Sequence, residues 1–244
     1  MTLPTINVPT YELTVPSSEE KLTFRPFLDK EEKILLLALE DGSTGALNQS
    51  LKQIVNNCTF EKLEVNKVPT FDLEYIFLRI RAKSVGETST INLLAEDDGE
   101  TYVPVDIPLE EIQVDIPKDH TNNVKLTDTI GVTFNYPTYE TLDKMDKLDE
   151  DSGIERVFAL MLSCVHQIYE GETIHERIDF SDKELNDFLN SLSPQQFADV
   201  QKFFDTMPKL KQEVELENPK TKVKSKRTLS GLQDFFVLPS LTNR

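Results

Sequence analysis

The sequence predicts an α+β protein with helical N-terminal and C-terminal parts and a small antiparallel β-sheet between them. Three observations predict it. Before residue 87 and after residue 140, apolar residues recur at spacings of three and four. Between those stretches the spacing changes to two, the period of half-buried strands. Residues suited to capping stand at the helix starts. The expected organisation is a β-hairpin plus three helices over 1–87, the sheet over 88–139, and a C-terminal helical bundle with a terminal hairpin over 140–244.

The first hairpin is expected where Tyr11, Leu13 and Val15 alternate with polar neighbours and Leu22 and Phe24 follow a Ser17-Ser18 turn. Asp29 with Glu32 three residues on forms a capping-box pattern, opening a helix with Ile34, Leu35, Ala38 and Leu39 on one face. Gly42 and Gly45 end it, and Leu47, Leu51, Ile54, Val55 and Cys58 carry a second helix. A third runs from Phe71 to Lys83, capped by Thr70, with Asp72 and Glu74 near the positive end of its dipole.

Period-two patterning follows through Ile91, Leu93, Val103, Val105, Ile107, Ile112, Val114, Val124, Leu126, Val132 and Phe134, with Asp97-Asp98-Gly99 as a hairpin turn. Prolines 104, 108, 117 and 137 confine these strands to edges or short lengths. Asp143, Asp146, Asp149, Glu150 and Asp151 form an acidic cluster without the glycine and closing glutamate of an EF-hand, so a solvated linker or helix start is expected. Beyond it, Ile154 to Tyr169 reads as one helix stopped by Gly171. Ser181 with Glu184 and Ser193 with Gln196 open two more, the second with Pro194 at its first position. A hairpin around Asn218-Pro219 and a short apolar tail from Gly231 close the chain.

The chain has 244 residues, 38% of them hydrophobic and 28% charged, enough apolar material for one sizeable core or two modest ones. A formal charge of −17 repels nucleic acid at long range, so no nucleic-acid partner is expected. The longest apolar run, Ile34 to Leu39, has six residues, far short of a bilayer span, and Met1-Thr2-Leu3-Pro4 lacks the basic start of a secretory signal. A cytoplasmic protein without membrane insertion is the expectation. Cys58 and Cys164 fit buried reduced thiols better than a disulfide or metal pair.

No pattern for catalysis stands out. His120, His166 and His175 have no partners at zinc spacing, and no nucleophile elbow or glycine-rich phosphate loop occurs. The expectation is a non-enzyme with no catalytic residues, cofactor or metal. Two features suit contact with other molecules. Lys222, Lys224 and Lys226 repeat at even positions, which either protects an edge strand or meets an acidic partner. Leu232, Phe235 and Phe236 either pack back on the chain or dock on another subunit.

Several segments together resemble the T4-type baseplate protein family. Phe24-Arg25-Pro26-Phe27, followed by Lys30-Glu31-Glu32-Lys33-Ile34-Leu35-Leu36, is similar to its opening. Phe71-Asp72-Leu73-Glu74-Tyr75-Ile76-Phe77-Leu78, running into Arg81-Ala82-Lys83-Ser84-Val85-Gly86-Glu87, resembles its most distinctive stretch. Phe203-Phe204-Asp205-Thr206-Met207-Pro208-Lys209-Leu210 and Gly231-Leu232-Gln233-Asp234-Phe235-Phe236 resemble its end. Some family members carry a cysteine pair between the last two strands, suggesting a zinc knuckle. Here that turn reads Glu217-Asn218-Pro219-Lys220-Thr221, so the resemblance implies no metal. It does imply a role in assembling the contractile-tail baseplate hub, with other baseplate and hub proteins as partners. The chain would be a chaperone-like factor working in the host cytoplasm, or a hub subunit retained in the virion. An enzyme or metal-binding protein is the alternative of another class.

Overall fold

A computed structural model describes residues 7–145 and 153–235. In chain order the elements are β1 (Tyr11–Thr14), β2 (Lys21–Phe24), α1 (Asp29–Asp41), α2 (Thr44–Cys58), α3 (Thr70–Val85), β3 (Thr88–Leu94), β4 (Tyr102–Pro108) and β5 (Gln113–Asp115). Then come β6 (Asn123–Lys125), β7 (Ile130–Phe134), α4 (Tyr139–Met145), α5 (Gly153–Cys164), β8 (Val165–Glu170), β9 (Thr173–Glu176), a 3-10 turn (Arg177–Asp179), α6 (Asp182–Asn190) and α7 (Pro194–Asp205). The chain ends in β10 (Lys209–Glu217), β11 (Lys224–Ser230) and α8 (Leu232–Phe235).

The α+β class holds, with the strands in small antiparallel sheets. Where the chain divides differs from the sequence expectation. The described parts of Met1–Asp115 and Lys209–Arg244 form one compact unit, and those of Ile116–Pro208 form a second, inserted one. The strands expected to make one central sheet are distributed between them. β3 and β4 form a hairpin and β5 joins β10 and β11 in the order β11-β10-β5, while β6 and β7 continue into β8 and β9. Alternation specifies which face of a strand is buried but not which strand it pairs with, so sheet membership was not legible.

In the first unit, β1 and β2 pair as expected, with Leu13 opposite Leu22 and Tyr11 opposite Phe24. The Arg25 amide donates to the Cys58 carbonyl at the end of α2 (2.9 Å), and the Phe27 amide to Ser84 Oγ of α3 (2.9 Å). Helix α1 starts one residue earlier than its capping pattern implied, because Glu31 rather than Glu32 reaches back, accepting the Leu28 amide at 2.9 Å. Pro69 rather than Thr70 occupies the cap of α3. Of the apolar face read for α1, only Ala38 is buried; Ile34, Leu35 and Leu39 are half-buried. The strongest local feature is polar. Glu31 is fully buried and receives Arg25 Nη2 at 3.0 Å, Arg25 Nη1 at 3.3 Å and Asn57 Nδ2 at 3.3 Å.

The unit's main core gathers Leu78 and Ala82 from α3 with Ile91, Leu93, Val103 and Ile107 of the β3–β4 hairpin and Leu210, Val214, Leu216 and Leu229 of β10 and β11. Arg79 stitches α3 to the strands, donating to the carbonyls of Leu109 (2.9 Å) and Ile112 (2.5 Å). Asp97-Asp98-Gly99 makes the expected turn: Gly99 takes a positive φ of 65°, and the Asp98 carboxylate accepts the Glu100 and Thr101 amides.

In the second unit the sheet runs β6-β7-β8-β9. The single helix expected from Ile154 to Tyr169 is corrected: α5 stops at Cys164 and Val165 opens β8. Val165, Ile168 and Tyr169 suit a strand as well as a helix face, and pairing with β7 (Val132 opposite Ile168) selects the strand. Gly171, with φ 60°, turns β8 into β9 instead of ending a helix. Both C-terminal capping boxes form. Ser181 Oγ accepts the Glu184 amide (3.3 Å) while Glu184 accepts the Ser181 amide (2.8 Å), and Ser193 and Gln196 repeat the pattern at 3.3 and 2.9 Å. Val132, Phe134, Met161, Leu185, Leu189, Val200 and Phe203 form the core. Of the acidic cluster, Asp143 lies in α4, whereas Asp146, Asp149, Glu150 and Asp151 lie outside the described residues.

Replacing Glu31 alone would strand a largely buried guanidinium. Glu31→Gln is expected to cost about 3 kcal/mol in urea unfolding, and the double replacement Arg25→Met with Glu31→Leu less, since it removes both charges. Burial alone would push the Glu31 carboxyl up; the bonds from Arg25 and the Leu28 amide, with the charges of Arg25 and Lys30, outweigh it and hold the carboxyl below its ordinary 4.5. Its contribution is therefore present above pH 4.5 and lost as pH falls through that lowered value, a dependence E31Q should lack.

Candidate interaction surfaces

The sequence-derived contact residues separate into three fates. Lys224 and Lys226 lie on β11, an edge strand of its sheet. Their ammonium groups face acids of the adjoining strand: Lys224 meets Glu217 at 3.7 Å, and Lys226 meets Glu213 at 2.7 Å and Glu215 at 3.3 Å. Lys222 is exposed in the turn with a positive φ of 66°. Leu232 and Phe235 pack on the first unit's core, and Phe235 is only 1% exposed, so of the two readings of this tail these residues take the one in which it packs back on the chain. Phe236 lies outside the described residues.

The turn between β10 and β11 holds a latch the sequence reading missed. Asn218 is 1% exposed; its Nδ2 donates to both Asp97 oxygens at 3.1 Å, and its Oδ1 accepts the Lys220 amide at 2.9 Å. The Thr221 hydroxyl also donates to Asp97. Thr221 and Asn218 together hold the Asp97 carboxyl below the usual carboxylate range. The turn without cysteines is thus closed by an amide and a carboxylate. Its only signal was the pairing of an Asn-Pro turn with an Asp-Asp-Gly turn far along the chain.

The titratable groups of interest elsewhere are structural in their surroundings. Burial pushes the Cys58 thiol up to about 12 and Cys164 to about 11, far from thiolate chemistry at neutral pH. His120 packs in a cluster with the rings of Tyr136 (5.6 Å) and Phe203 (5.4 Å), with Nδ1 2.9 Å from Thr206 Oγ1 and Nε2 3.0 Å from the Tyr136 hydroxyl. His166 and His175 are exposed. Among the described residues, no three His, Cys, Asp or Glu side chains converge to hold a metal ion, and no helix is long and apolar enough to cross a membrane.

Large apolar side chains do reach the surface. On α1 these are Leu36 (59% exposed) and Leu37 (55%), with Leu28 just before the helix. In the second unit Ile174 and Ile178 are exposed, Ile178 almost completely at 92%. Near Ile178 in sequence, Phe180 joins Ile130, Ile168, Leu185 and Phe188 in lining a groove of about 270 Å³, with His175, Glu170 and Glu184 as its polar members.

A model of the family described as T4 bacteriophage base plate protein matches residues 8–237. The chain belongs to this family. Among curated proteins and solved structures, none matches it. Membership gives it a structural or assembly role at the tail baseplate, among other baseplate proteins. For a baseplate protein, exposed leucines and isoleucines on a folded chain are candidate contact points.

Two expectations follow from these surfaces. Lys224→Ala and Lys226→Ala should each leave this baseplate protein's urea-unfolding midpoint nearly unchanged, because exposed cross-strand ion pairs contribute little. Burial holds His120 below its ordinary 6.5 against the opposing charge of Asp119. Its contribution is present above pH 6.5 and lost as pH falls through the lowered value. Thermal unfolding followed between pH 7 and 5 should show this loss, and His120→Gln should flatten it.

Proposed function

We propose that this baseplate protein acts without turnover, as a chaperone-like factor that binds subunits of the contractile-tail hub during assembly in the host cytoplasm and then leaves. The observation carrying this reading is that both compact units expose large apolar side chains, Leu36 and Leu37 on one and Ile174 and Ile178 on the other. Burying such side chains against a partner supplies binding free energy without chemistry. The formal charge of −17 supports the same reading, since self-repulsion keeps an unassembled chain with exposed apolar residues soluble.

Quantitative mass spectrometry of purified virions beside infected-cell lysate tests the proposal. The chain is expected in the lysate together with hub subunits, and far below one copy per tail in finished particles. Stoichiometric copies in purified tails would replace this reading with that of a retained hub subunit. Turnover of a substrate by pure protein would replace it with an enzyme.

A further inference from the structure

The groove in the second unit offers both shape and charge for a particular kind of partner. Ile130, Ile168, Phe180, Leu185 and Phe188 give it apolar walls, supplied by β7, β8, α6 and the segment before α6. Its carboxylates are Glu170 and Glu184. Glu184 is held ionised because the Ser181 amide and hydroxyl donate to it, keeping its carboxyl below the usual range. Nearby in sequence stand Glu172, Glu176, Asp179, Asp182 and Asp187, against only Arg177 and Lys183. Arg177 is already bonded to Asp182. Residues 116–208 as a whole carry 18 acidic side chains against 8 basic ones.

Ile178 adds an apolar contact point two residues before Phe180. A short turn that leaves an isoleucine 92% exposed gains little for the isolated fold, and the same side chain gains transfer free energy once a partner covers it.

We propose that this groove receives an apolar side chain from a segment of another baseplate protein in which that side chain is flanked by lysines or arginines. The apolar side chain fills the space between Ile168, Phe180 and Phe188, the exposed Ile178 two residues before Phe180 gives the same segment a second apolar contact, and the flanking cations meet Glu170 and Glu184. This rests on the assembly role proposed above and adds the location and chemistry of one contact. Charge complementarity sets the partner's class: an acidic segment would meet like charge, and an uncharged one would leave the carboxylates unused.

Isoleucine-methyl NMR on the full chain tests it with three synthetic nine-residue peptides. One has a central leucine flanked by lysines, the second has glutamates for the lysines, and the third has serine for the leucine. The first is expected to shift the methyls of Ile130, Ile168 and Ile178 with a measurable Kd. The other two should bind at least about tenfold more weakly, as should the first peptide to Ile178→Ser and Glu170→Lys, both changes at exposed positions. Equal shifts from the serine peptide would reduce the effect to general attraction by an acidic surface and overturn the proposal. So would shifts confined to methyls outside the groove, or no shifts at all. Concentration-dependent shifts of the same methyls without peptide would assign the groove to a second copy and also overturn it. A chain that fails here, yet is found with hub subunits in lysate and is missing from virions, keeps the assembly role and loses only this site.

Discussion

The architecture depends on one clasp. β5 and β10 meet over three register pairs, Lys209 opposite Asp115, Leu210 opposite Val114 and Lys211 opposite Gln113, although the whole second unit lies between them in sequence. Leu210 is fully buried there and its carbonyl accepts the Gly231 amide at 3.0 Å, so the clasp also fixes where β11 gives way to α8. Lys211 and Asp115 add an exposed ion pair at 3.0 Å, a minor contribution beside the buried leucine. Loop closure costs rise only slowly with the length enclosed, and a folded insert with its own core reduces the freedom to be lost. The first unit can therefore be interrupted at this point without losing its sheet.

A second constraint acts at the other end of the first unit, where two buried carboxylates tie the β1–β2 hairpin and its exit to the helices. Glu31 holds Arg25 beside α1 and α2. Asp72, at the start of α3, accepts the Ser17 amide at 3.1 Å and the Ser17 hydroxyl. Their titrations run in opposite directions. Burial raises the Asp72 carboxyl above its ordinary 3.8, and the bonds from the Ser17 hydroxyl and amide only partly oppose this. Its favourable contribution is complete below pH 3.8 and lost as pH rises through the raised value, whereas that of Glu31 disappears with acid. The hairpin's attachment is thus divided between a charge pair at Glu31 and hydrogen bonds that Ser17 donates to Asp72.

Much of this was legible because it is local. Ser181-Glu184 and Ser193-Gln196 each close over three residues, and the hairpins at Ser17, Asp97 and Asn218 carry their own turn chemistry. What failed depended on distant partners. Val165 to Glu170 became a strand because β7 was there to pair with it, and β5 joined β10 across the insert. Nothing local sets Glu31 apart among the chain's 43 acidic residues; only folding places Arg25 and Asn57 around it. The tail at Phe235 was open to two readings until the core of the first unit enclosed it. No signal in sequence distinguishes the exposed Ile178 from a buried isoleucine.

Charge and apolar exposure have to be weighed together to understand the surface. The lysines of β11, the most obvious basic feature of the sequence, are largely matched by Glu213, Glu215 and Glu217 within their own sheet. They guard an edge strand without offering much net charge to a partner. The acids of the second unit are different, since its basic side chains are too few to match them. Such a surface resists self-association through repulsion while leaving Ile174 and Ile178 open to a cationic partner, whose approach the same charge accelerates. For a protein that must meet other subunits in a crowded assembly, this combination separates two demands. Long-range charge selects which molecules come close, and a few exposed apolar side chains determine how long they stay.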